Sequence, residues 1–79
     1  MFNLLGKIIS SKNFLATVVL DIIQKVWRPH RPILVKRIDR NIFLFTFEHE
    51  TDLKLAFDRR PWTLRGAHLV LKKWKLELT

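Results

Sequence analysis

An α+β fold, a four-stranded antiparallel sheet with two helices on one face, is predicted by three features of the sequence. Phe43, Phe45 and Phe47 recur at period two inside Arg40-Asn41-Ile42-Phe43-Leu44-Phe45-Thr46-Phe47. Successive strand side chains point to opposite faces, so the three rings share one side of a central strand. Two segments with helical spacing of apolar residues flank this strand, and each stops at a proline, Pro29 or Pro61. Short apolar runs at both ends of the chain supply the remaining strands. The Phe side is expected beneath the helices, with Ile42, Leu44 and Thr46 on an open sheet face.

Composition bounds what such a domain can be. The chain has 79 residues, a size for one domain over residues 1–79. A chain this short buries roughly 60% of its unfolded surface, so its stability is marginal. Its apolar fraction of 48% suffices for a core. With no Cys there is no disulfide, no Cys-based zinc site and no thiol chemistry. Against 7 acidic residues stand 15 Lys and Arg, a net charge of +8. That charge points to an anionic partner, nucleic acid first and an acidic membrane surface second. The longest uncharged run near the start, Asn13 to Leu20, falls far short of the ~20 residues of a membrane span. Met1 to Ser10 lacks a charged leading region and is interrupted by Lys7, so it does not read as a signal peptide. The expected setting is intracellular, nuclear or cytoplasmic.

Taken in order, Leu4 to Ile9 is the first strand, an apolar run with one charge, Lys7. Ser10 to Asn13 connects it to a helix over Phe14 to Trp27, with Asn13 as the expected N-cap. Thr17, Asp21, Gln24 and Arg28 form the polar stripe of that helix; Leu15, Val19, Ile22, Ile23 and Val26 lie opposite. Its β-branched content makes it depend on tertiary packing. Arg28-Pro29 ends it, because the residue before proline avoids the α region. The next strand, Ile33 to Ile38, turns through Asp39-Arg40-Asn41 into the Phe strand. A three-residue turn sets Ile38 against Ile42, Lys36 against Leu44 and Val35 beside Phe45, which keeps the lysine off the core. The second helix, about Thr51 to Arg60, has acids at its start, Arg59 and Arg60 at its end, and Leu53, Ala56 and Phe57 as its core face. Trp62 to Leu64, a turn at Arg65-Gly66, and His68 to Leu78 form a hairpin-like return and the last strand. The order strand, helix, strand, strand, helix, strand is the ferredoxin-like βαββαβ pattern.

Catalysis finds little support in these residues, and an enzyme of unknown type is a distant third reading. His30, His49 and His68 are spaced 19 apart with no thiol or clustered carboxylate beside them. Metal-ligand spacing is absent, as are a glycine-rich phosphate loop and a nucleophile elbow. No enzyme activity, cofactor, metal or small-molecule ligand is expected. Glu48-His49-Glu50 reads as a helix lead-in.

Nucleic-acid binding has more support. From Lys25 to Arg40 there are six Lys and Arg (Lys25, Arg28, Arg31, Lys36, Arg37 and Arg40) against Asp39, about +5. Lys7, Lys36, Lys72, Lys73 and Lys75, with Arg28, Arg31, Arg37 and Arg40, are candidates to rim the open face and the loop before the second strand. The same charges also serve as solvated guards against edge pairing. In RNA-recognition motifs, which share this βαββαβ layout, bases stack on aromatics of the two central strands. Here Arg40 and Phe47 match the ends of the longer signature motif, while the two outward stacking positions hold Ile42 and Leu44. The outward position on the first strand is Lys7. Stacking contributes ~1–3 kcal/mol per base; without it, contact would rest on Lys and Arg against phosphates, weakly sequence-selective and salt-sensitive. Ile42, Leu44 and Thr46 inside a basic rim also suit a protein contact. Trp27 and Trp62 are expected to close the core at its corners, and Trp74 is open between core and surface.

Leu5-Gly6-Lys7, the helix ending in Trp27, Asn41 to Phe47, Arg60-Pro61-Trp62 and Lys72-Lys73-Trp74 together resemble a plant family catalogued as a domain of unknown function, number 4283. The resemblance covers nearly the whole chain; the Phe strand followed by Pro-Trp is its specific part. In that family the domain commonly precedes a Cys/His zinc knuckle in retrotransposon-like proteins. The resemblance implies a plant source, a binding or guiding role, and RNA or DNA as partner. It supplies no catalytic residues, and the knuckle is absent from this sequence. The reading is a non-enzymatic, RNA-recognition-motif-like module contacting nucleic acid, RNA ahead of DNA, through backbone charge. The alternative is a protein-interaction or weakly self-associating module that uses the open face.

Overall fold

The structure, a computed structural model, describes residues 2–73. Strand β1 spans Phe2–Ile9, helix α1 Ala16–Trp27, β2 Leu34–Asp39, β3 Ile42–Phe47, α2 Glu50–Asp58, β4 Trp62–Leu64 and β5 Ala67–Lys73. The fold is α+β, with a five-stranded sheet in the order β2-β3-β1-β5-β4 and every pairing antiparallel. The expected sheet had four strands. The fifth is β4, the three residues expected only as a return, which pair Trp62 with Leu69 and Leu64 with Ala67. Positive φ at both Arg65 (49°) and Gly66 (82°) closes this tight hairpin. The expected last strand runs beyond Lys73, and that part, with Trp74 and Lys75, lies outside the described residues.

The Phe side is the buried side. Phe43, Phe45 and Phe47 are within 1% of full burial, and the core joins them to Leu4, Ile8, Leu69 and Leu71 from the neighbouring strands. Helix α1 adds Val19 and Ile23; α2 adds Leu53 and Ala56. Gly6 lies opposite Phe43 on this side, and a Cβ there would run into the Phe45 ring. The glycine is thus the space into which Phe45 folds. Trp27, half-buried, lies with its ring centroid 5.4 Å from that of Phe45, 6.0 Å from Phe47 and 5.9 Å from Trp62. Trp62 donates its indole N–H to the Ala56 carbonyl at 2.6 Å. Both tryptophans close a corner of the core, as expected.

Three local expectations are corrected. The α1 core stripe keeps Val19, Ile22 and Ile23 but is rotated at its margins: Ala16, Leu20 and Trp27 join them, while Leu15 and Val26 are 60% and 45% exposed. These inward positions step by three and four residues along one helix face. Leu15, not Asn13, occupies the α1 N-cap position, with no side-chain cap bond, because Asn13 accepts from Arg40 Nε at 2.6 Å. In the β2–β3 hairpin, Lys36 does face Leu44 and Val35 does face Phe45, but Asp39, not Ile38, faces Ile42. A bulge between Arg37 and Asp39 takes up Ile38, which leaves a two-residue turn with Asn41 at φ 55°.

Asn41 holds the far end of the sheet together. It is 4% exposed. Its Oδ1 accepts from the Phe14 amide at 2.9 Å, and its Nδ2 donates to the Lys12 carbonyl at 2.7 Å and the Ser10 carbonyl at 3.3 Å. The β1–α1 loop is thereby tied to a turn about 30 residues away in sequence, and a buried amide is fully satisfied.

Candidate nucleic-acid interface

The face opposite the helices is set by strand register. Lys36 faces Leu44, Leu44 faces Leu5 and Leu5 faces Lys72, so one row crosses four strands as Lys, Leu, Leu, Lys. Adjacent strands lie about 4.7–4.9 Å apart, which puts the two lysine Cα atoms about 14 Å apart. The neighbouring row is Ile42, Lys7 and Val70. A third is Leu34, Thr46 and Asn3, and a fourth Ile9, His68 and Thr63. Leu34 is 63% exposed and Val70 46%; Leu5, Ile42, Leu44 and Thr46 are half-buried among their neighbours. Asp39 pairs with Ile42 at the turn end, and its carboxylate accepts from the Arg40 amide at 2.7 Å. The surface is therefore an aliphatic centre set with Lys7, Lys36 and Lys72, with no ring at the described central positions.

The other expected basic residues lie elsewhere. Lys73 is adjacent to Lys72, so strand alternation turns it to the helix side, opposite Leu4, with its ammonium 5.0 Å from the Phe57 ring centroid. Arg37 faces Phe43 and thus also stands on the helix side, at the exposed margin of edge strand β2. Neither rims the open face, which corrects that expectation. Arg40 donates from Nε to Asn13 and from Nη2 to the Ser11 carbonyl at 2.7 Å, a bracing role in the turn. Arg28 is the α1 C-cap, in the left-handed region at φ 46°, and Arg31 follows in the same loop.

That loop is held by a residue sequence reasoning treated only as part of an acidic helix start. Asp52, in the first turn of α2, is 6% exposed. Its Oδ2 accepts from the amides of His30 at 2.9 Å and Arg31 at 3.2 Å, and its Oδ1 is 2.9 Å from His30 Nδ1. An ionised carboxylate only accepts, so Nδ1 carries the proton. Burial opposes ionisation of Asp52, but the hydrogen bonds from the His30 ring and from the two amides outweigh it and hold the carboxyl below its ordinary value. The loop bearing Arg28 and Arg31 is therefore clamped onto α2. No local pattern signals a contact between residues 22 apart.

Among the described residues no group of three or more His, Asp or Glu could hold a metal ion, and no helix is long and apolar enough to cross a membrane. Residues 4–79 match the model of a family described as Domain of unknown function (DUF4283). No curated protein and no solved structure matches the chain.

Proposed function

We propose that this chain, which belongs to the DUF4283 family, is a non-enzymatic module that binds single-stranded nucleic acid on the open face of its sheet. The observation that carries the reading is the Lys36-Leu44-Leu5-Lys72 row with Lys7 beside it. Three ammonium groups on one face offer phosphate contacts, and the aliphatic centre offers a surface for sugars and base faces. With β4 set aside, the order β2-β3-β1-β5 and the two intervening helices fit the ferredoxin-like, RNA-recognition-motif-like layout, which favours RNA over DNA. The stacking rings of that layout are replaced by Ile42 and Leu44. Affinity therefore rests on backbone charge, with weak sequence preference. A nuclear or cytoplasmic setting follows from such a partner.

The test is fluorescence anisotropy on a labelled single-stranded RNA across a salt series. Replacing Lys7, Lys36 and Lys72 together by Gln is expected to weaken binding and flatten the log–log salt slope by about 2, at ~0.7 per single-strand phosphate contact. An unchanged slope would place the contacts elsewhere. A second reading has its own observation: Leu34 and Val70 stand well exposed beside the half-buried Leu5 and Leu44. Such an aliphatic patch fits a second copy of the chain or another protein.

A further inference from the structure

We infer that a cavity at one end of the sheet, between the Ser10–Phe14 loop and the Arg65–Gly66 turn, receives one nucleotide of the strand lying on the open face. The inference rests on the nucleic-acid reading of that face. The cavity measures about 570 Å³, within the roughly 300–1,000 Å³ of small-molecule sites. Phe14, Val18 and Ala67 give it an apolar lining. Ile9 and Leu15, also lining it, are apolar yet 52% and 60% exposed. The charged side chains lining it are Lys12 and Arg65, both cations, and no Asp or Glu joins them among the described residues. Ser10, Ser11 and Asn13 add polar groups to the lining. A mixed apolar and polar wall with a cationic margin suits a flat ring with hydrogen-bonding edges that carries a phosphate. It disfavours an acidic peptide, whose side chains bring no such ring, and a neutral apolar ligand, which leaves both cations unused.

Continuity with the sheet selects a nucleotide of a longer strand over a free metabolite. Ile9 lines the cavity and also stands in the outermost row of the open face, opposite His68. Ala67 and the start of α1 line it from the helix side, so a strand on the open face enters the cavity by turning round the end of the sheet. A strand contacting Lys72 and Lys7 and continuing past Val70 reaches Ile9 next. The walls are fixed beforehand. Asn41 binds the carbonyls of Ser10 and Lys12 and the amide of Phe14, and Arg40 binds Asn13 and Ser11. The opposite wall is the tight turn with positive φ at Arg65 and Gly66. A cavity whose walls do not reorganise loses little affinity to ordering.

Four variants and one probe test this. The probe is a labelled ten-nucleotide single-stranded RNA of mixed sequence, read by anisotropy between 50 and 200 mM salt. Leu15→Glu sets a carboxylate at the cavity margin and is expected to weaken binding about tenfold. Val26→Glu, a similarly exposed apolar position on the same helix away from the cavity, carries the same charge change and is expected to weaken it less than threefold. Lys12→Gln with Arg65→Asn, an asparagine that accepts positive φ, is expected to flatten the salt slope by about 1.4, two contacts at ~0.7 each. Lys36→Gln with Lys72→Gln reports on the sheet face itself. If that last variant weakens binding while Leu15→Glu and the Lys12/Arg65 variant bind like wild type, the cavity inference fails and the sheet reading stands. Equal losses in Leu15→Glu and Val26→Glu also overturn it, since bulk charge then accounts for both. No binding by wild type at 50 mM salt removes both readings.

Discussion

The two faces of the sheet are made by alternate residues of the same strands, and they differ in what each side chain leaves its neighbours to fill. On the helix side Phe43, Phe45 and Phe47 meet Gly6 and a tryptophan corner, so large rings sit against a vacancy of matching size. On the other side Leu5, Ile42 and Leu44 meet one another and three lysines, all of moderate size and none enclosed. Apolar alternation alone does not make a core; complementary volume under a helix layer does. The open face has no such layer over it among the described residues, and Leu34 and Val70 on it stay 63% and 46% exposed.

The largest break in this contrast comes from the enclosed face. Phe45→Ala removes a fully buried ring and is expected to cost about 3–5 kcal/mol, enough to unfold much of so small a domain. Thermal melting by circular dichroism reads the effect, and a variant that melts within a few degrees of wild type would put the enclosed face on the other side. Gly6→Val works from the opposite direction. Its side chain meets the Phe45 ring, with Leu69 at 3.1 Å and Leu71 at 3.3 Å from the position of the first added carbon. Overpacking of this kind costs about 1–3 kcal/mol. Combined with Phe45→Ala, which empties the space, Gly6→Val is expected to cost less than it does alone, and additive losses in the double variant would contradict the proposed contact.

The two faces were legible in the sequence to different degrees. The Phe triplet placed the core side because period two is a strand signal that needs no knowledge of the partner. Leu53, Ala56 and Phe57 followed in the same way from helical spacing. Strand β4 was missed as a sheet member because three residues are too few to show a period. The bulge at Ile38 moved the turn, yet left Lys36 and Val35 correctly placed, since their register with β3 is set before the irregularity. Lys73 and Arg37 were grouped with the open-face lysines by charge, although alternation from Lys72 and Lys36 already assigned them to the other side. Asn41 was legible as a left-handed turn residue and Asp52 as part of an acidic helix start, but their hydrogen bonds to distant loops were not, since no local pattern encodes them.

Asp52 gives a smaller, pH-dependent test. Asp52→Ala removes three hydrogen bonds to the loop bearing Arg28 and Arg31, with an expected loss of about 1–3 kcal/mol at neutral pH. The folded carboxyl titrates below its ordinary value, so its contribution is fully present above about pH 4 and is lost as pH falls through the folded value. The gap in stability between wild type and variant is therefore expected to narrow as pH falls below about 4. Urea titrations at several pH values measure it, and a gap that failed to narrow in the acid range would contradict the lowered carboxyl. Without the clamp, replacing Arg28 and Arg31 by Gln should also change RNA affinity less than it does in wild type.

The smallest effect on stability, and the sharpest on function, is expected at Leu44. It stands at the middle of the open face, half-buried between Lys36 and Leu5. Leu44→Lys places a flexible charge where solvent reaches, so the melting temperature should shift by no more than a few degrees, in line with about 0.5 kcal/mol for such sites. Its effect on binding separates the two uses of the face. If phosphate contacts dominate, a fourth lysine there steepens the salt slope for RNA and tightens binding at low salt. If the aliphatic centre pairs with a second copy, the contact is self-complementary, with each Leu44 near its counterpart. Two chains of charge +8 repel most at low salt, so that dimer would strengthen as salt is raised, the reverse of the trend for RNA. Leu44→Lys would then keep the chain monomeric throughout. Sedimentation of wild type and variant at 50 and 500 mM salt, beside anisotropy on RNA under the same conditions, reads both trends. A wild type that stays monomeric at high salt and high concentration removes self-association, and a Leu44→Lys variant that unfolds would make Leu44 part of the core.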